Sequence, residues 1–195
     1  MENKTSAPIS DAPIQANKKG KGTTFLIWGY VNLFVSLAIF IMILRTGNPR
    51  FAQWYLLIPA LGLSLQFIRS GLSRSKEEPS ADIIDYILGK VWKMVVLTFV
   101  CSFIVCGVLF VAYHAVALPT FFIVGLIIPA VGCVITGYAT HETITLLGGY
   151  IGLFTGIAAL FSQIVFPEQN VFWHLAYAIA YIIMMIIPGH YLNSK

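Results

Sequence analysis

Gly148-Gly149-Tyr150-Ile151-Gly152-Leu153-Phe154-Thr155-Gly156 decides how this chain folds. Gly148, Gly152 and Gly156 recur at every fourth residue, inside a run that stays apolar from Ile144 to Phe166. On a helix this spacing stacks three bare patches on one face, where a neighbouring backbone can approach closely. In lipid, close packing rather than water exclusion draws helices together, and small residues mark the contact. The stretch therefore predicts a membrane-spanning helix with a tight partner.

The partner is the apolar run before it. Gly125, Pro129, Cys133 and Gly137 repeat the four-residue spacing in residues 119–138, and only Thr140-His141-Glu142-Thr143 separates the two runs. So short a connection makes the helices antiparallel neighbours, with their small-residue stripes expected to meet. Gly148, Gly152, Gly156, Gly125, Cys133 and Gly137 are the candidate packing residues. Pro59 and Pro129, both inside apolar runs, are the candidate kinks, because proline removes a backbone hydrogen bond.

Composition carries the same reading outward. The chain has 195 residues, 58% hydrophobic and only 10% charged. A soluble domain of this size cannot cover so much apolar surface, whereas a polytopic membrane protein has lipid as its solvent. At about twenty apolar residues per crossing, there is room for about six helices and for no sizeable soluble domain. The expected fold is all-α, a polytopic transmembrane bundle. Its six helices fall at 24–44, 51–68, 91–113, 119–138, 144–166 and 171–187, within a membrane domain of residues 23–192. Residues 1–22 are polar, carry Pro8, Pro13, Lys18, Lys19 and Lys21, and read as a disordered basic cytosolic tail. Residues 80–90 read as a short interfacial helix, with Ile83, Ile84 and Ile87 on one face and Asp82 and Asp85 on the other. Pro188-Gly189 is expected to end the last helix.

The net charge of +4 does not indicate nucleic acid, since the basic residues flank apolar runs. Of the twelve Lys and Arg, only Arg45 and Arg50 fall on one side of the membrane when the runs are threaded alternately. The positive-inside rule then places both termini in the cytoplasm. Trp28, Trp54, Trp92 and Trp173 lie near run ends, where an aromatic belt would place them.

Two echoes suggest duplication. Gly29-Tyr30-Val31-Asn32-Leu33-Phe34-Val35-Ser36-Leu37-Ala38 resembles the stretch from Gly149 to Ala158, matching at Gly, Tyr, Leu, Phe and Ala. Ile58-Pro59-Ala60-Leu61-Gly62 resembles Ile128-Pro129-Ala130-Val131-Gly132. Three repeated two-helix hairpins would account for both.

Sites of chemistry are scarce. All eight acidic residues lie in the tail, the loops or at helix boundaries. This argues against a buried carboxylate relay and against a paired-aspartate protease, because intramembrane charges are what such functions require. His141-Glu142 lacks the second histidine of H-E-x-x-H, and no serine stands in G-x-S-x-G. Cys101, Cys106 and Cys133 have no zinc or redox spacing and read as small buried residues; Cys101 and Cys133 fall at similar depth. His114, His141, His174 and His190 divide between the two headgroup regions. Asn32, Ser36, Ser64, Gln66, Thr136, Thr155 and Gln163 are explained by hydrogen bonds between helices. No catalytic residue, metal site or cofactor is implied.

The lysine-rich tail, Trp28-Gly29-Tyr30, Ile58-Pro59 and Pro188-Gly189-His190 are similar to features of small six-helix inner-membrane proteins of Bacteroides-type bacteria. That resemblance implies a bacterial inner (plasma) membrane location and no particular reaction. The expected partners are the lipid bilayer and a membrane or cytosolic protein. Two function classes remain: a non-enzymatic sensor, scaffold or accessory subunit, and, as the alternative, a small transporter or channel.

Overall fold

A computed structural model describes residues 21–73, 83–113, 118–165 and 171–194, and these are helical almost throughout. Helix α1 runs Lys21–Thr46, then a 3-10 stretch, Pro49–Leu56, leads into α2, Leu57–Ser73. Helices α3, Ile83–Tyr113, α4, Leu118–Thr140, and α5, Thr143–Val165, follow. The sixth rod is α6, Phe172–Tyr181, continued by a π-helical segment, Ile182–Ile186, and by α7, Ile187–Ser194. Five spans are long and apolar enough to cross a membrane: Gly22–Thr46, Pro49–Gly71, Ile87–Leu109, Thr143–Ser162 and Phe172–Ser194. Within α4 the stretch Val124–Thr140 is apolar but shorter. The chain is thus an all-α, multi-pass membrane bundle of six helices.

Large apolar side chains point outward on every span, Phe67 and Phe154 each 74% exposed. In water such faces would aggregate; against acyl chains they are at rest. The buried side of α1 is a stripe of Phe25, Trp28, Asn32, Ser36 and Ile39, spaced three and four residues apart. It packs on α6, the π segment and α7. The most extensive helix pair is α4 with α5.

Several boundaries differ from the sequence reading. The interfacial helix expected at 80–90 and the span at 91–113 form one helix from Ile83, while residues 80–82 lie outside the described residues. Most of the tail at 1–22 also lies outside them, and Lys21 and Gly22 open α1. The run at 51–68 begins as 3-10 helix. Asn48 caps it by accepting the Arg50 N–H at 3.0 Å, just after Gly47 turns the chain at φ 65°.

Proline explains the other differences. Pro59 is the third residue of α2, and the rod it stands in begins ten residues earlier as the 3-10 stretch, within one apolar span, Pro49–Gly71. Pro129 does lie inside α4. Pro188-Gly189, expected as a break, sits inside a helix that continues to Ser194. A proline ring crowds the carbonyl four residues earlier. The π segment ends just before Pro188 and widens the helix there, with the Ile187 N–H reaching back to the Ile182 carbonyl. Pro59 and Pro129 thus stand within continuous helical rods, and Pro188 stands just after the π segment.

Candidate functional site: a buried polar seam and a lateral groove

The interior holds a seam of hydroxyls, amides and rings contributed by α1, the 3-10 stretch, α4 and α6. His174, Tyr177 and Tyr181 fall at i, i+3 and i+7, and so share one face of α6; all three are buried. The Tyr55 hydroxyl and His174 Nδ1 are 2.9 Å apart, and their rings stack with centroids 5.6 Å apart. Tyr55 meets Tyr177 edge-on at 5.4 Å, and Tyr177 meets Tyr181 at 4.9 Å. The Tyr177 hydroxyl donates to Asn32 Oδ1 at 3.1 Å, and Asn32 Nδ2 donates to the Trp28 carbonyl at 2.8 Å. The Asn32 amide thus has its nitrogen and its oxygen each engaged in a directed bond.

Both interior prolines are answered by this seam. Pro129 has no N–H for the Gly125 carbonyl, and that carbonyl accepts the Tyr181 hydroxyl. Pro188 has none for the Met184 carbonyl, which accepts the Cys133 thiol at 3.5 Å. A carbonyl left open in lipid costs several kcal/mol. The side chains of one broken helix therefore complete the backbone of the other.

The candidate packing glycines divide between two neighbours. A Cβ on Gly137 would lie 2.6 Å from the Leu146 backbone nitrogen, and one on Gly156 would lie 2.9 Å from Ile127, so both face across the α4–α5 contact. Gly152 faces Ala130 at 3.0 Å and also the Met184 thioether. Gly148 faces the Ile183 carbonyl at 2.8 Å, Gly125 faces Tyr177, and Cys133 faces Met184. The two stripes meet only in part, and the sixth rod takes the rest. Gly149, outside the expected stripe, has the tightest fit to α4: its Cβ would stand 2.8 Å from the Val134 nitrogen and 3.0 Å from the Ala130 carbonyl.

The milder polar residues serve several ends. Gln66 accepts the Trp28 indole N–H at 3.1 Å, and Thr136 accepts that of Trp92 at 2.9 Å. Thr155 instead bonds back to Ile151 in its own helix, and Ser64 is exposed. The Gln163 side chain and His114 lie outside what is described. Trp28, expected in an interfacial belt, is buried. His174, expected among headgroups, is buried against Tyr55. His190 pairs with Tyr30 at 2.8 Å on an exposed face. Cys101 is exposed and free and makes no pair with Cys133. Among the described residues, no three His, Cys, Asp or Glu come together as a metal site.

The sequence reading passed over Tyr55, Tyr177 and Tyr181, because tyrosine is at home in apolar runs. The signal was present in the i, i+3, i+7 alignment of His174, Tyr177 and Tyr181, and in Asn32 and Ser36 one turn apart.

Two hollows adjoin the seam. A pocket of about 10 Å³, bordered by Trp28, Asn32, Trp92, Phe99, Pro129 and Tyr181, is at the lower limit for a single water. On the outer side, a groove of about 500 Å³ is lined by residues of α3 and α4. Its walls are apolar apart from Thr98 and from Lys90 at one end. Comparison of the chain with known protein families, with curated proteins and with solved structures gave no match.

Proposed function

We propose that this chain is a non-enzymatic membrane protein that acts through partners, as a sensor, scaffold or accessory subunit. One observation carries the reading. Asn32, Tyr55, His174 and Tyr177 are directed at one another, and Tyr181 and Cys133 at the two carbonyls freed by proline, as structural joints are. Two segments outside the described helices have the composition for partner contact: residues 1–20 are polar and basic, and residues 74–82 are polar. The lysine distribution supports a cytoplasmic location for both, in a bacterial inner membrane. The resemblance to small six-helix proteins of Bacteroides-type bacteria supports the same placement.

Deletion of residues 1–20, which leaves α1 whole, tests this. Site-specific photocrosslinking in native membranes is expected to join the intact chain to a discrete partner, and the truncated chain to lose it. An identical crosslinking pattern from both chains would overturn the reading.

A second reading, a small transporter or channel, is favoured by the meeting of two interrupted helices. The π segment and the Pro129 region of α4 touch through Cys133 and Gly125, and broken helices of this kind can line transport sites. Reconstitution into liposomes distinguishes the readings: ion or proton flux that persists in the truncated chain would favour the transporter.

A further inference from the structure

The groove between α3 and α4 has a length, a lining and a charge that together suit one occupant. From Ile87 to Thr98 it follows α3 for eleven steps of about 1.5 Å, or about 16 Å along the helix. That is about half of a hydrocarbon core of about 30 Å. A partner transmembrane helix would need a groove along the whole span. An acyl chain of one leaflet needs only half.

The lining agrees. Met94, Val95 and Ile127 are among the walls, with Val131 and Ile135 opening toward lipid. The polar exception lies at the end where a headgroup would sit. Lys90 borders the groove on the first turns of the span that begins at Ile87. Lys93, exposed and three residues on, lies beside it on the helix surface and adds a second positive charge to the same edge. Basic residues at this depth attract anionic lipid headgroups.

We infer that the α3–α4 groove is a binding site for an anionic phospholipid of the leaflet that Lys90 borders. One acyl chain would lie between Met94, Val95, Ile127 and Val131, and the phosphate would lie against Lys90. The site depends on membrane placement and not on the N-terminal segment. Its failure would leave the partner-protein reading standing, and the reverse holds as well.

The test is native mass spectrometry of the full chain released from nanodiscs containing equal phosphatidylglycerol and phosphatidylcholine. The wild type is expected to retain one phosphatidylglycerol with at least a five-fold preference over phosphatidylcholine. Lys90→Gln should reduce that preference to near unity while some lipid is still retained. Val131→Trp, which fills the groove from its lipid-facing side, should abolish retention of both lipids. Thr98→Phe offers a second obstruction, should the tryptophan variant not fold. Equal retention of the two lipids by the wild type would overturn the proposal. So would an unchanged preference in Lys90→Gln, or phosphatidylglycerol retention that survives both obstructions.

Discussion

The α4–α5 contact and the α1–α6 contact solve one problem by opposite means. Between α4 and α5, atoms are left out: Gly137, Gly149 and Gly156 let the backbones close on one another. On α6, polar atoms are added: Tyr177 bonds Asn32 of α1, and His174 bonds Tyr55 of the adjoining 3-10 stretch, so directed bonds hold the helices. In lipid the first kind of contact depends on dispersion over a close-fitting surface. The second depends on bonds whose average worth in a membrane protein is only about 0.6 kcal/mol. The glycine seam should therefore be brittle and the tyrosine seam forgiving, although only the latter has the chemistry that usually draws notice.

The largest expected effect is at Gly149. A side chain there meets Val134 and Ala130 backbone atoms, which cannot rotate away. Gly149→Leu should destabilise the bundle by about 3 kcal/mol or more, at or above the upper end of overpacking costs. Reversible SDS unfolding in bicelles measures it, and a change below about 1 kcal/mol would mean that the seam is not closed. Gly152 sharpens the contrast, because its nearest obstacle is the flexible Met184 thioether. Gly152→Ala should cost less than about 1.5 kcal/mol, and Gly152→Leu clearly more.

Tyr181 joins the two kinds of contact, since its hydroxyl answers a backbone gap made by Pro129. Tyr181→Phe should cost about 1–3 kcal/mol, the range for a buried carbonyl left unpaired. The informative experiment is the double-mutant cycle with Pro129→Ala. Alanine restores an N–H for the Gly125 carbonyl, so the Tyr181→Phe penalty should at least halve in that background. Additive effects would show that Tyr181 acts by packing alone. Tyr177→Phe, which leaves Asn32 Oδ1 without its donor, should cost about 0.6 kcal/mol and at most about 1.7.

This contrast also marks what the sequence makes legible. Glycine spacing in residues 148–156 identifies a tight contact from local pattern alone, because four-residue spacing maps directly onto a helix face. It does not say which neighbour fills each gap, and so Gly148 turns out to serve the π segment and Gly125 to serve α6. Proline has a fixed local chemistry but a context-dependent outcome. Pro59 stands where a 3-10 stretch passes into α2, and Pro188 continues a helix because a π turn absorbs its ring. The groove beside Lys90 was illegible for a further reason. Its walls come from residues some forty positions apart, and each wall alone is an ordinary apolar helix face.

The smallest effect is expected in the turn that delivers α5 to α4. Helix α4 ends in a Schellman arrangement: the Glu142 N–H returns to the Gly137 carbonyl at 3.0 Å, and that of His141 to Tyr138 at 3.4 Å. This geometry places His141 at φ 53°, the left-handed region in which glycine is usual at this position. For a non-glycine residue the conformation costs about 1–2 kcal/mol. Glycine avoids this penalty but loses about 0.5–1 kcal/mol more entropy on folding. His141→Gly should therefore stabilise the bundle by about 0.5 kcal/mol, measured by the same unfolding assay. The gain should vanish in the Gly149→Leu background, where α4 and α5 are already forced apart and the turn no longer has to hold them in register. A gain of equal size in both backgrounds would show that the turn relaxes independently of the seam it closes.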